Sequence, residues 1–251
     1  NEFLNLEGQK LSTSRNWAVW LHEYLEDFPE KQDVLRYVLC SIAPEPRDSE
    51  FTWKDFQARN NGELVDILGN FVNRTVVLTH KYFDGKVPDS KVDSKLLGSF
   101  CQYYDKVEEN IEKYNFRQAL IEAMSIARIG NKYLTENEPW RLIKTDPAKT
   151  AEIIHTSLCI AAHLSIILEP FLPFTTDKIR KQLSIENHVS WYFEETQLLQ
   201  PGQEIGKAQH LFSRIDDKVI ESQVEKLEKR KKDKEEEQKK AQPKSNGKAN
   251  I

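Results

Sequence analysis

Paired cysteines are missing from this 251-residue chain. It has three, Cys40, Cys101 and Cys159, far apart and without a CxxC pair. An odd, scattered set points to a reducing compartment and argues against a zinc site within the chain. A secretory signal is also lacking, and Asn1 is not an initiator methionine, so a processed or partial chain from a cytoplasmic protein is expected. The formal sequon Asn73-Arg74-Thr75 is read as unused for the same reason. No apolar run is of membrane-spanning length. The longest uncharged run, 153–168, contains His155, Thr156, Ser157, His163 and Ser165 and reads as a buried helix.

Charge of one sign is lacking overall, with a formal net charge of −4. Its distribution is uneven. Residues 221–251 hold 10 Lys/Arg and 7 Asp/Glu, a net of +3, while the other 220 residues hold 26 and 33, a net of −7. Any nucleic-acid site must therefore be a local basic patch on an acidic body.

Strand signals are sparse. Phe3 to Gly8 alternates and suggests one short strand entering a loop. Helical spacing dominates elsewhere. Trp17, Trp20, Leu21, Tyr24 and Leu25 share one face, and a second helix spans about 31–42 before Pro44 and Pro46. Thr52 is placed to cap a long helical stretch that ends near Gly85 and Pro88. One helix is expected over 93–113. Asn115 with Gln118 resembles a capping box for the next. Asp146-Pro147 opens a helix to about Leu168, and a short helix follows Pro173 to about Leu183. The expected fold is mainly α: a helical bundle with short connections after a small segment with minor β. Residues 221–240 are nearly all Glu, Lys, Arg and Gln, which suggests a solvated helix fraying into a linker; a basic arm touching nucleic acid is the alternative. Trp17, Trp20, Trp53 and Trp191 are read as packing residues. His155 and His163, eight apart, are spaced poorly for a shared metal and are read as core or surface histidines.

Lys10-Leu11-Ser12-Thr13-Ser14-Arg15 stands out within this pattern. A lysine, hydroxyls and loop N–H groups together suit phosphate oxygens, although a polar surface loop has the same composition. In context, 7–15 (Glu-Gly-Gln-Lys-Leu-Ser-Thr-Ser-Arg) resembles the Lys-Met-Ser-Lys-Ser signature loop of class I aminoacyl-tRNA synthetases, with its Glu-Gly approach. Asn70-x-x-x-Arg74 is similar to an element on the first bundle helix of methionyl-tRNA synthetases, and Asn131-x-Tyr133 through Pro139-Trp140 resembles a later one. Leu168 to Pro173 and Leu211 to Ile215 match further landmarks in order, so the resemblance covers about residues 3–216.

That resemblance implies a role for each position. Lys10, Ser12, Thr13, Ser14 and Arg15 would close over the pyrophosphate of ATP, bound with Mg2+ in the full-length enzyme. Thr13 stands where the motif has its second lysine, so the lost charge would have to come from Lys10, Arg15 or another domain. Trp140 would stack on a base of the CAU anticodon, and Asn70 with Arg74 would read its cytosine. The implied partners are methionine tRNA, methionine and ATP, with neither membrane nor DNA. No metal ligand is implied within the chain. A nucleotide-binding domain, with its His-Ile-Gly-His motif and methionine pocket, would precede Asn1. Residues 1–58 would then be the end of the catalytic region with the signature loop and stem-contact segment, 59–220 the anticodon-binding bundle and 221–251 the linker. Two alternatives stay open: another synthetase of the same subgroup, and a non-catalytic helical interaction protein.

Overall fold

The computed structural model describes residues 2–185, 191 and 198–241. The end of the expected linker, 242–251, lies outside them. The chain opens with a small sheet. β1 (Leu4–Leu6) pairs antiparallel with β2 (Gln9–Lys10) across Glu7 and Gly8, whose φ of 45° and 72° form the left-handed turn that glycine favours. On its other edge β1 pairs parallel with β3 (Ser49–Phe51). That strand is too short to show alternation in the sequence. Between them lie α1 (Leu21–Asp27) and α2 (Gln32–Ser41). Trp17 stands outside α1, correcting its expected place on that helix. Its indole N–H donates to the Leu6 carbonyl at 2.8 Å, so it packs against the sheet instead.

A long helical rod follows. α3 (Trp53–Arg59) runs into a π-helical segment (Asn60–Gly69) and then α4 (Asn70–Phe83). Thr52 caps the start by accepting the Asp55 N–H at 3.0 Å. Asp84 and Gly85, at φ 52° and 74°, end it. Trp53 and Phe56 anchor the rod in an aromatic cluster with Tyr24, Phe28 and Phe51.

The helix expected over 93–113 is two helices, α5 (Ser94–Gly98) and α6 (Cys101–Glu112). The capping box at Asn115 does not form either. Gln118 turns to Glu122, and the first turn of α7 (Phe116–Asn137) is capped from a distance by the Glu45 carboxylate, which accepts the Arg117 N–H at 2.9 Å. A one-turn α8 (Pro139–Leu142) leads to α9 (Pro147–Ile167), which Asp146 caps as expected. By length and composition α9 could span a membrane, which amends the sequence reading; 94% of its most apolar window is buried inside the bundle. Asp33 caps α10 (Pro173–Gln182) through the Thr175 N–H.

α11 (Asp217–Ala241) covers the charged tail. Its first half is docked rather than solvated, with Ile220 and Leu227 buried.

α7 and α4 approach closely at Gly130. A Cβ there would lie 2.6 Å from the Phe71 ring. Gly130→Ala should therefore cost about 1–3 kcal/mol by overpacking, read as a lower urea midpoint. A second expectation concerns His155, fully buried on α9 with Nδ1 3.0 Å from the Ser90 carbonyl. Burial holds its imidazole below the ordinary value, against the opposing pull of that carbonyl. Stability should be complete above about 6.5, the unfolded imidazole value, and fall as pH drops below it, because the unfolded chain then binds the extra proton. Urea midpoints from pH 7 to 5 should fall less steeply in His155→Gln.

Candidate nucleic-acid interface and phosphate loop

The loop after β2 is a short, closed hairpin end. Ser12 and Trp17 exchange two backbone hydrogen bonds of 2.9 Å, and Asn16 turns the chain at φ 54°. Thr13, Ser14 and Arg15 project into solvent between them, beside exposed Lys10. The Ser12 and Ser14 hydroxyls are 3.1 Å apart, and Arg15 Nε lies 3.4 Å from Ser12 Oγ. Lys10 Nζ sits 4.9 Å from the centroid of the Phe3 ring. Two cations and two hydroxyls thus surround one small exposed turn, a donor set suited to phosphate oxygens.

Glu7, in the β1–β2 turn that leads into this loop, ties the sheet to the rod. Its carboxylate accepts the Trp53 N–H at 2.7 Å, adding an anion to the positive end of α3. The Glu-Gly pair therefore does two things: Gly8 permits the turn, and Glu7 fastens it to the helix. The sequence offers no separate signal for this bond, because Trp53 is 46 residues away.

Farther along the rod the π-helical segment changes the hydrogen-bond register. The Asn70 N–H reaches both the Ile67 and the Val65 carbonyl, three and five residues back. Asn131 Nδ2 on α7 donates to the same Ile67 carbonyl at 2.7 Å, pinning the helices together one turn before Asn70. The sequence pattern contained Asn131 but not this role. The landmark around Leu211 to Ile215 fastens the segment from the other side. Asn61 and Ile215 exchange two bonds of 2.9 Å, Arg214 pairs with Asp66, and the Phe212 ring lies where a Cβ on Gly69 would approach within 3.5 Å. The landmark at Leu168 to Pro173 is likewise structural, with Arg36 bonded to the Pro170 carbonyl at 2.9 Å.

Asn70 is exposed at the start of α4, and Arg74 is one turn on. Glu138, at φ 41°, ends α7, buried Pro139 opens α8, and this corner aims Trp140 at α4. The Arg74 guanidinium stands 5.1 Å from the Trp140 ring. Two residues 66 positions apart are thus stacked, both half-buried, beside an exposed amide. An aromatic face, a fork of donors and an amide are the groups that read an unpaired base. Among the described residues no three His, Cys, Asp or Glu side chains converge as metal ligands.

Comparison with known proteins bears on both sites. Residues 1–76 match the family model described as class I tRNA synthetases (M), and residues 86–232 match the anticodon binding domain of methionyl tRNA ligase. The chain belongs to the methionyl-tRNA synthetase family. It is 54% identical to a methionine–tRNA ligase of Christiangramia forsetii and 56% identical to one of Phocaeicola vulgatus, over 97% and 90% of its own length. It spans 37% and 34% of those two proteins, about a third of each. Two Mycobacterium tuberculosis methionyl-tRNA synthetase structures share the fold. The free enzyme has a TM-score of 0.67 at 20% identity, and the complex with methionyl-adenylate has 0.69 at 22%. They match 85% and 84% of this chain over 42% and 43% of their own. Both family matches agree in order with the mainly α bundle and its small sheet.

Proposed function

We propose that the chain is the tRNA-reading portion of a cytoplasmic methionine–tRNA ligase, which joins methionine to tRNA at the expense of ATP through methionyl-adenylate. The observation that carries this reading is the Arg74–Trp140 stack beside Asn70. In this reading Trp140 offers its ring to a base of the CAU anticodon, and Asn70 and Arg74 present hydrogen-bond groups to the cytosine. Residues 59–220 are the anticodon-binding unit and 1–58 carry the signature loop and stem-contact segment, while the charged segment from 221 begins as the docked half of α11.

Lys10, Ser12, Ser14 and Arg15 are the residues that would hold the triphosphate of ATP. Their exposure and mutual proximity fit that polyanion. Magnesium, when bound with the nucleotide, neutralises phosphate charge. The loop's own contribution is to supply cations and donors as pyrophosphate departs. Thr13 adds no charge. Arg15, already beside Ser12, takes over with Lys10. Methionine and the adenine end of ATP bind in the part of the enzyme that the relatives carry beyond the matched third, so this chain alone forms no adenylate.

Anticodon reading is tested by the affinity of this chain for a CAU stem-loop and for one with the cytosine replaced, at one fixed low salt. Wild type should prefer CAU by about tenfold or more, roughly 1.4 kcal/mol, and Trp140→Ala should lose that preference while still folded. Equal affinity for both stem-loops, here and in the full-length enzyme, overturns the reading. The loop is tested by ATP–pyrophosphate exchange in the full-length enzyme. Thr13→Lys should change the rate by less than about threefold, whereas Arg15→Ala should lower it about tenfold or more. A large gain in Thr13→Lys, with Lys10→Ala and Arg15→Ala silent, contradicts the charge assignment.

A further inference from the structure

The C-terminal helix returns to the opposite end of the chain. Its first turn is fixed to the rod: Gln57 Nε2 donates to the Asp217 carboxylate at 2.9 Å and to the Ile215 carbonyl at 3.0 Å. Farther on, α11 lies against the acidic face of α1. Gln223 and Lys226 donate to Asp27 at 3.1 and 2.6 Å, Lys226 reaches Glu23 at 3.1 Å, and Arg230 pairs with Glu23. Ile220 and Leu227, one heptad apart, are the buried apolar residues of the docked half.

Lys231 comes next, roughly 21 Å along the helix from Asp217. Its Nζ donates to Gln9 Oε1 at 2.8 Å and lies 5.1 Å from the centroid of the Trp17 ring. These are the two legs of the exposed loop. Gln9 directly precedes Lys10 on the ingoing leg. Trp17 closes the outgoing leg through its paired bonds with Ser12 and is itself locked to the Leu6 carbonyl. The ingoing leg is a strand of two residues, which holds little by itself.

We infer that Lys231 is a positioning residue for the signature loop: one ammonium group ties both loop legs to α11 and, through Asp217 and Gln57, to the start of the helical rod. The inference rests on reading that loop as the triphosphate clamp. A cation with N–H donors suits this position, because the indole face attracts positive charge and the Gln9 amide oxygen accepts an N–H. Arginine supplies the same charge and donors. Methionine keeps the unbranched apolar stem and loses both contacts. Lys231 itself need not touch substrate.

The test is made in the full-length enzyme, numbered as here, by ATP–pyrophosphate exchange. Lys231→Met should lower kcat about five- to tenfold with KM for methionine unchanged, because the clamp and not the amino-acid pocket is displaced. Lys231→Arg should recover to within about twofold of wild type. CAU stem-loop affinity should be the same in all three proteins, which shows that the bundle is intact. Wild-type exchange in Lys231→Met, with Lys10→Ala impaired, overturns the inference and leaves the loop reading standing. Silence of Lys10→Ala overturns both. Equal impairment in Lys231→Met and Lys231→Arg, or loss of stem-loop binding alongside exchange, assigns Lys231 to packing alone and also overturns it.

Discussion

The hydrogen bond from the Trp53 N–H to Glu7 joins the N-terminal sheet to the helical rod. It fastens the β1–β2 turn to the start of a helical rod that runs without a break from Trp53 to Phe83. Arg74 lies about 30 Å along that rod, at 1.5 Å per residue. Three further sets of contacts keep the rod fixed. The aromatic cluster holds its first turns, the segment around Ile215 clamps the π-helical stretch, and α7 closes against α4 at Gly130. Helix rods transmit position well because their interior is close-packed and deforms little.

The π-helical register suits that task. A regular helix would place Asn70 and Arg74 at a different angle about the axis, since the wider turn rotates the residues beyond it. Asn131 on the Ile67 carbonyl holds this geometry, and Asn131 lies on the same helix whose end delivers Trp140. One neighbouring helix therefore both fixes the rod and ends at the corner from which α8 presents the aromatic partner. The stack of Arg74 on Trp140 is the point at which these constraints meet.

Much of this was legible in the sequence because it is local. Thr52, Asp146 and Pro173 mark helix starts through residues within one turn. Helical spacing showed the buried face of the rod, but not that of α1, where Leu21 and Leu25 are exposed. What failed depends on distant partners. The cap of α7 comes from Glu45, not from Gln118. Trp17 follows the sheet instead of α1. The π-helical segment has no local signature. The docking of α11 was hidden because Ile220 and Leu227 are the only buried apolar residues among those described in a segment dominated by charge, and its partners Glu23 and Asp27 lie some two hundred positions away. The candidate site was legible only through family resemblance. Asn70 and Arg74 share a face by spacing alone, but nothing in the sequence places Trp140 against them.

If the rod and α7 build a single reading head, Arg74 and Trp140 must act as one unit. A double-mutant cycle on CAU stem-loop affinity measures this, using Arg74→Ala, Trp140→Ala and the pair. Strong non-additivity is expected, with a coupling of about 1 kcal/mol or more and the double variant scarcely weaker than either single one. Additive losses, to within about 0.3 kcal/mol, would mean that the two side chains touch RNA independently or not at all, and would contradict it.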